Sequence, residues 1–518
     1  MEQIEKGLLP KRELYFVFGA LMLGMLLAAL DGTIVSTALP TIVGDLHGSS
    51  HLAWVVVAYL LATTVSTPMW GKLGDLYGRK QFFQWAIVLF LLGSVLCGFS
   101  TSMFELILFR ALQGLGGGGL MVGAQAVIAD IVPPRDRGRY AGMFGGVFGA
   151  ATVLGPLLGG VIVEYWSWRW IFFVNVPFGI VALFVTAAAL PKSRERVAHV
   201  LDFAGTLVMT VSASALILFT SLGGSTFAWT SWISMALLAV GLVAGVAFVV
   251  IERRAVEPIL PPRLFANRVF SSASAIGFVV GFAMFGSMTF LPYFFQTVRH
   301  VTPTQSGLRL LPLMAGLFGM SILVGSLVSR GKPYRPFPIL GTVVMTLGLA
   351  LLGTVGIVTS SYVMSLYMLI LGMGIGLVMQ VLVTAVQNAV NPADIGAATA
   401  GTNFFRSIGG SFGTAIFGAL YTNSFPHQLA SGFAKLGVPV PKHLLSTLTP
   451  KNLSLLPPAE LHAVLAAIAT SIQTVYHWAI PVGVIAVALS LTLPEIKLRA
   501  SLHPVADEVP MSHAEPLL

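Results

Sequence analysis

The stretch LYFVFGALMLGMLLAALDGTIVSTAL, residues 14–39, contains 26 residues and a single charged side chain, that of Asp31. A helix of about 20 mostly apolar residues is long enough to cross a bilayer, so this stretch predicts a transmembrane helix. It is longer than the apolar core of a signal peptide, and no small-residue cleavage site follows the charged start of the chain. We therefore interpret it as a retained first span.

The composition of the whole chain agrees with a membrane protein. Of its 518 residues, 56% are apolar and only 9% are Asp, Glu, Lys or Arg, whereas charged residues make up about 25% of a soluble globular protein. The single cysteine, Cys97, excludes intramolecular disulfides and Cys-based zinc or iron–sulfur sites. The sequence therefore indicates a membrane protein and excludes a soluble enzyme.

Apolar runs of spanning length occur fourteen times along the chain. None shows the ten-residue alternation of strands in a membrane barrel, so the predicted fold class is an all-α polytopic membrane protein. The predicted spans, numbered 1 to 14 in chain order, are residues 14–39, 52–72, 82–100, 104–131, 138–163, 168–190, 202–222, 229–251, 270–295, 305–328, 337–357, 362–389, 397–421 and 473–494.

The basic residues predict the orientation, because loops rich in Lys and Arg stay in the cytoplasm. With a cytoplasmic N-terminus, 21 of the 29 Lys and Arg residues lie on that side and five lie outside. Both termini are therefore expected to be cytoplasmic, with the protein in the cell (cytoplasmic or inner) membrane. The net charge of +9 is a topology signal in this interpretation, and no nucleic-acid partner is expected.

An internal repeat divides the chain. A Pro-x-Asp-x-Gly sequence begins at Pro134 and recurs at Pro392, and glycines of spans 4 and 5 recur in spans 12 and 13 at the same offset of 258 residues. Chance matching of glycines is the alternative. Repeated halves around a central cavity are a transporter architecture. The predicted divisions are two six-helix halves at 1–199 and 263–500, inserted helices 7 and 8 at 200–262, a long external loop at 422–472 and a cytoplasmic tail at 501–518.

Two ionisable residues lie well inside predicted spans, where a charge is costly and usually functional. Asp31 is in the outer half of span 1, and Arg110 is six residues into span 4, at a similar depth. The two side chains can therefore pair, and a carboxyl between a desolvating environment and a cation is suited to binding and releasing a proton. The alternative is a static buried ion pair that braces spans 1 and 4.

Further polar residues form stripes at helical spacing on two spans of the second half. Lining of a wet substrate cavity is one interpretation, and hydrogen bonding between helices is the other. The predicted cavity residues are Gln113 of span 4, Gln380, Thr384 and Gln387 of span 12, and Asn403 and Arg406 of span 13.

Several motifs resemble those of a known family. The sequence GKLGDLYGRK at 71–80, between spans 2 and 3, resembles the loop motif of the major facilitator superfamily. LDGTIVSTALP at 30–40, LFRALQG at 108–114 and GPLLGG at 155–160 resemble motifs of its proton-coupled drug antiporters, although Ala151 replaces the glycine expected in the last of these. WRWIFFVNVP at 168–177 and the inserted helix pair resemble the fourteen-helix drug/proton antiporter branch.

The resemblance implies roles for particular residues. Asp31 and Arg110 would couple transport to protons, and the helix-5 motif that marks exporters would comprise Gly155, Pro156, Gly159 and Gly160. The loop motif would gate the conformational change through Gly71, Gly74, Asp75, Gly78, Arg79 and Asp130. Asp75 is expected near the start of span 13, whose positive dipole end would attract it, and Asp130 within reach of Arg79. A simple topology anchor is the alternative for this motif.

The sequence and the resemblance together predict a transporter that is not an enzyme. It would be a proton-coupled antiporter that exports amphipathic, lipophilic, cationic compounds by alternating access. Expected partners are the small-molecule substrate, protons and membrane lipid. We expect a monomer without a cofactor, and the absence of a phosphate-binding Gly-x-x-x-x-Gly-Lys-Ser/Thr sequence excludes a self-contained pump of the P-loop ATPase kind. The alternatives are a dedicated exporter of an endogenous metabolite or lipid, and a uniporter.

Overall fold

The computed structural model describes residues 11–46, 52–132, 134–190, 202–224, 227–440 and 456–496. Within these ranges the fold is helical and contains no β-strand; its single β-bridge joins Gly223 to Phe227. Stretches that must satisfy their backbone in hydrocarbon form helices, because each helix makes its hydrogen bonds internally.

The helices are named in chain order from α1 to α17. They are α1 (Lys11–Asp45), α2 (Leu52–Tyr77), α3 (Arg79–Phe99), α4 (Met103–Ile131), α5 (Pro134–Tyr165), α6 (Trp170–Phe173), α7 (Asn175–Ala189), α8 (Phe203–Leu222), α9 (Trp232–Glu252), α10 (Pro262–Ala266), α11 (Arg268–Val298), α12 (Pro303–Arg309), α13 (Leu311–Ser329), α14 (Pro336–Leu352), α15 (Ser361–Ala389), α16 (Ile395–Leu436) and α17 (Pro458–Leu491).

Each of the fourteen predicted spans coincides with a helix or a consecutive helix pair. Eleven helical segments in the described part of the chain are long and apolar enough to cross a membrane. The other three predicted spans correspond to α5, α14 and α16; α14 is a shorter apolar helix of 17 residues. The protein is thus a multi-pass, all-helical membrane protein, and the count of fourteen stays a prediction.

Two segments expected to be loops are largely helical. Residues 71–77 form the last turns of α2, so Gly78 alone separates α2 from α3. Residues 422–436 continue α16, and 458–472 begin α17, which leaves a shorter connection than the predicted loop 422–472. Both segments carry polar side chains. A prediction from hydropathy ends a span at the first polar residues, even where the helix continues. Residues 441–455 of that loop and the tail 501–518 lie outside the described residues.

The helices pack as two bundles joined along two seams. Buried apolar side chains of α1 to α7 form two core clusters, and those of α11 to α17 form one larger core. The seams between the bundles are α2 against α16 and α5 against α13. The inserted helices α8 and α9 pack against each other, and α8 also touches α2 and α16. This arrangement places α2 and α16 where a site between the halves would open and close.

Glycines bring α5 close to α1. A Cβ at Gly159 would lie 3.1 Å from the carbonyl oxygen of Ile34, and the hydroxyl of Thr33 donates a 3.0 Å hydrogen bond to the carbonyl of Ala151. Gly155 faces Thr33 with no room for a side chain. Gly160 lies in the same helix and is partly buried, and the Pro156 side chain lies outside the described part of the structure. Small residues at these positions permit the close packing of α1 and α5.

Candidate functional site

The Asp31 carboxylate lies at the centre of a buried hydrogen-bond network. Arg110 of α4 donates from Nη1 to Asp31 Oδ2, and the two side chains are 1% and 0% exposed. Gln113 donates from Nε2 to Asp31 Oδ1 over 2.8 Å and accepts a 2.8 Å bond from Arg110 Nη1. Because Gln113 follows Arg110 by three residues, both side chains lie on the same face of α4. The ion pair between Asp31 and Arg110, which the similar depths of the two residues in their spans predicted, is present, and each charge compensates the other.

Three residues that the sequence did not single out complete this network. Asn175, at the start of α7, donates from Nδ2 to Asp31 Oδ1 over 3.3 Å and to Ser94 Oγ over 3.0 Å. The ring of Tyr59 lies 4.2 Å from the Arg110 guanidinium carbon, a cation–π distance. We call Asp31, Tyr59, Ser94, Arg110, Gln113 and Asn175 the carboxyl network.

The carboxyl network is closed to solvent in this conformation, which differs from the expectation for Gln113. Gln113 was expected to line a substrate cavity, but its side chain is 0% exposed and serves Asp31. The next residue of α1, Gly32, is exposed, and no atom lies within 4 Å of the position that a Cβ would occupy there. The residue that directly follows Asp31 along α1 is therefore part of the exposed surface of the helix.

A chain of amides connects the two halves. Asn403 of α16 donates from Nδ2 to Gln125 Oε1 of α4 over 2.8 Å, and Arg406 donates to Asn403 Oδ1 over 2.6 Å. Gln387 of α15 donates to Thr399 over 3.0 Å and to the carbonyl of Gln125 over 3.5 Å. Gln125 was not predicted. In this conformation Asn403 and Gln387 form interhelical hydrogen bonds, which was the alternative interpretation, whereas the bond of Arg406 to Asn403 lies within α16.

Gln380 and Thr384 lie apart from the other predicted cavity residues. They line a narrow pocket between α13 and α15 beside Tyr334. The Thr384 hydroxyl donates to the carbonyl of Gln380, and Gln380 Oε1 has no hydrogen-bond partner within the described chain. The predicted substrate-cavity residues therefore divide among the carboxyl network, the amide chain and this pocket, and they do not share one cavity.

The end of α2 is bound to the start of α16. Asp75 Oδ1 and Oδ2 accept the backbone N–H groups of Gly396 and Ala397 over 3.0 and 2.8 Å. These are unpaired donors of the first helical turn, where an anion is favoured. Arg79 donates to Asp75 over 2.8 Å and to Asp130 over 2.5 Å. All three side chains of the expected gate are thus in contact.

Glycines allow this contact between the halves. A Cβ at Gly71 would lie 2.6 Å from both Ala400 Cβ and the carbonyl oxygen of Gly396, so any side chain there would separate α2 from α16. Gly78 has φ 104°, a conformation that favours glycine, and it makes the single-residue turn into α3. At Gly74 the nearest atom to such a Cβ is 3.6 Å away, which is ordinary contact.

The second half has an ion pair at the same end of the molecule. Arg263 of α10 donates from Nη2 and Nε to Asp394 over 2.9 and 3.1 Å. These hydrogen bonds, and the charge of the carboxylate, raise the pKa of the Arg263 guanidinium above its ordinary value. Asp394 belongs to the repeated Pro-x-Asp-x-Gly sequence and is 5% exposed. The ion pair therefore fixes the entry to α16 beside the Asp75 contact.

Two larger cavities lie beside α16, and neither includes a member of the carboxyl network. The Trp229 cavity, about 400 Å³, lies between the α8–α9 connection and the polar face of α16 that carries Ser407, Ser411 and Thr414. The Glu252 cavity, about 530 Å³, lies between the inserted helices, α11 and α16. Within the described residues, no group of three or more His, Cys, Asp or Glu side chains could hold a metal ion.

The sequence profile of the Major Facilitator Superfamily matches residues 21–414, about three quarters of the chain. The chain belongs to the major facilitator superfamily. An MFS-type transporter from Mycobacterium tuberculosis is 44% identical over 493 residues, which cover 95% of this chain and 71% of that protein. The multidrug transporter protein MdtP of Bacillus subtilis is 38% identical over 521 residues, covering 96% of each chain.

Solved structures share the superfamily fold. The proton:xylose symporter XylE superposes with a TM-score of 0.61 at 16% identity, covering 95% of this chain and 98% of that one. The human organic anion transporter MFSD10 gives the same TM-score at 14% identity, covering 92% of this chain and 100% of that one. This chain is therefore a membrane transporter of small molecules with multidrug efflux relatives, and it is not an enzyme.

Proposed function

We propose that this transporter is a proton-coupled antiporter that exports amphipathic, lipophilic, cationic compounds by alternating access. The single observation that carries the proposal is the buried network in which Arg110, Gln113 and Asn175 all donate to the Asp31 carboxylate. The protein would act as a monomer in the cytoplasmic membrane with both termini in the cytoplasm. The proton gradient would drive it without a cofactor.

Protonation of Asp31 would destabilise this conformation. As a carboxylate, Asp31 compensates the charge of Arg110, which is fully buried. Removing one partner of a buried ion pair costs about 3–5 kcal/mol, because the other charge is left without compensation. A proton on Asp31 would have the same effect, and a rearrangement that brings Arg110 to water or to another partner would then become favourable. The proton and the conformation are linked in this way.

The contacts between the halves support alternation. The Asp75 contact and the amide chain of Gln125, Asn403 and Arg406 close the predicted cytoplasmic end in this conformation. For that end to open, these hydrogen bonds must break, which would expose the amides and the Arg406 guanidinium to a compound that enters between α4 and α16. These residues would then contribute to the substrate path in the other conformation.

The names of relatives support drug efflux over the other two candidates. Two relatives from Bacillus subtilis are a multidrug transporter and a multidrug resistance protein, the second 37% identical over 81% of this chain. A dedicated exporter of a metabolite or lipid is the first alternative. A uniporter is the second, and the charged network argues against it, because a uniporter has no need of a buried carboxylate and guanidinium.

Purified protein in liposomes tests the proposal. With a pH gradient imposed, the wild type should accumulate a lipophilic cation against its concentration gradient, and addition of the cation should release protons. Asp31→Asn should abolish both, since the amide cannot carry the proton. Asp45→Asn changes an acid at the far end of the same helix, half exposed and outside the carboxyl network, and should keep both activities. Accumulation driven by the pH gradient in Asp31→Asn would overturn the proposal.

A further inference from the structure

The Glu252 cavity has an aromatic wall and one buried charge. Five phenylalanines line it: Phe248 of α9, Phe265 of α10, Phe278 of α11, and Phe404 and Phe405 of α16. The remaining lining is mostly aliphatic, apart from Ser212 and the adjoining pair Glu252 and Arg253. Its volume of about 530 Å³ is within the range of small-molecule sites.

Glu252 is the only charged residue of α9, and it is turned inward. Helix α9 is otherwise largely exposed on the outer surface of the bundle, and its buried residues are Ser234, Gly241 and Glu252. Glu252 is 3% exposed, although it is the last residue of α9 and a side chain at the end of a helix can readily face water. Burial of an unpaired carboxylate is expensive, so its position requires an explanation.

One carboxylate oxygen has a structural role and the other has none. Glu252 Oε1 accepts the backbone N–H of Ile259 over 3.1 Å, which fixes the connection to α10. Glu252 Oε2 is buried and has no hydrogen-bond partner within the described part of the chain. A glutamine would hold the connection equally well, since its amide oxygen accepts the same N–H. The charge itself is therefore not explained by the fold.

The charges around the cavity favour a positively charged occupant. Asp202, at the start of α8, lies close to Glu252: a Cβ at Gly205 would touch Asp202 Oδ2 and lie 3.0 Å from Glu252 Oε1. Asp202 Oδ2 likewise has no hydrogen-bond partner among the described residues. Lys72, a partly buried cation, attracts the Glu252 carboxylate from outside the lining of the cavity. Arg253 is exposed, so water and salt screen its charge. The desolvated charge that an occupant of the cavity meets is consequently negative.

We propose that the Glu252 cavity is a binding site for a lipophilic monovalent cation, separate from the path between the halves. The buried carboxylate would supply the counter-charge, and the phenylalanine faces would attract the cation through their quadrupoles. Helix α16 lines both cavities, with Phe405 and Ile408 in this one and Ser407 and Ser411 in the Trp229 cavity. A compound collected between the inserted helices would thus lie beside the polar face of α16. The inference rests on the proposed function only for this use as an entry site.

Protection of an engineered thiol tests the site directly. In a Cys97→Ala background, Leu216→Cys places a unique thiol in the cavity wall, because Leu216 lines it and Cys97 is the only native cysteine. Full-length protein in nanodiscs is labelled with an apolar maleimide at increasing concentrations of tetraphenylphosphonium. The size-matched anion tetraphenylborate is the control probe. We expect saturable protection by the cation and none by the anion.

Two variants separate the cation site from its rivals. Glu252→Gln should weaken the protection about tenfold or more, the loss expected for a charge-assisted contact. Arg253→Gln should leave it unchanged. Equal protection in Glu252→Gln would overturn the proposal, and so would protection by tetraphenylborate that Arg253→Gln removes, which would indicate a site for an anionic lipid headgroup. Asp31→Asn should retain the protection, so a failure of proton coupling and a failure of this site give different results.

Discussion

The Asp75 carboxylate, at the last turn of α2, accepts the backbone N–H of Ala397 over 2.8 Å at the first turn of α16, a helix of the opposite half. Its other oxygen accepts the N–H of Gly396, and Arg79 holds it from the side of α3. A carboxylate of one bundle therefore caps a helix of the other, and we expect the closed state of this end to depend on that cap.

Removal of the cap should favour opening at this end. Asp75→Ala leaves the first turn of α16 without its acceptor, a loss of about 1 kcal/mol for a helix cap, and it leaves Arg79 with one carboxylate fewer. Spin labels on α2 and α16 should show a larger population of long distances at this end, and pH-driven uptake should fall. Glu105→Gln neutralises an acid at the opposite end of the bundle and should change neither measurement.

Gly71 and Gly74 provide a matched pair for the same contact. Gly71→Ala introduces a methyl group 2.6 Å from Ala400 Cβ and should prevent α2 from closing on α16. Gly74→Ala adds the same methyl group one turn later, with no atom nearer than 3.6 Å, and should retain transport. The ratio of initial uptake rates at equal expression is the measurement. Equal rates for the two variants would show that the close approach is not needed.

The ion pair in the carboxyl network should show strong coupling in stability. Arg110→Gln leaves Asp31 as a buried charge without its cation, and a loss of about 3–5 kcal/mol is expected. Asp31→Asn combined with Arg110→Gln removes both charges and should recover most of that loss, while transport stays abolished. Thermal unfolding in detergent of the single and double variants measures the coupling. Additive losses would mean that the two side chains do not depend on each other.

The Gln125 amide should stabilise the closed halves. Gln125→Ala removes the 2.8 Å bond to Asn403 and exposes the amide chain. A hydrophilic maleimide should therefore label Thr399→Cys, a buried position of α16 beside the amide chain, faster in this variant than in the Gln125 background, both on Cys97→Ala. Gln473→Ala serves as control, because its bond to Val355 stays within the second half. A labelling rate independent of residue 125 would contradict this role.

The sequence predicted the positions of the helices and the charged contacts better than the neutral ones. Charges in a span are rare and costly, so Asp31 and Arg110 were conspicuous, and their depths along two helices were enough to pair them. Asn175, Ser94 and Gln125 carry no charge, and many amides and hydroxyls of membrane helices bond only within their own bundle. Their partners depend on helix rotation, which one sequence without the packed structure does not specify.

Helix ends were the other source of error. The predicted loop at 71–80 and the predicted external loop at 422–472 contain Lys, Asp, Asn and His, and a hydropathy criterion ends a span at such residues. In the structure α2 continues to Tyr77 and α16 to Leu436, because a helix can extend beyond the apolar layer and satisfy its own backbone. For the same reason the Asp75 motif is a helix terminus and not a loop.

Gly78 joins α2 to α3 through a turn of a single residue, so we expect the two helices to move together. Arg79 binds Asp75 beside this turn. Ser94 lies 15 residues further along α3, about 22 Å from Arg79 at the rise of a helix. Ser94 is hydrogen-bonded to both Gln113 and Asn175. We therefore expect a tilt that pulls Asp75 off α16 to displace this hydroxyl beside Asp31 as well, which would link opening at the cytoplasmic end to the carboxyl network.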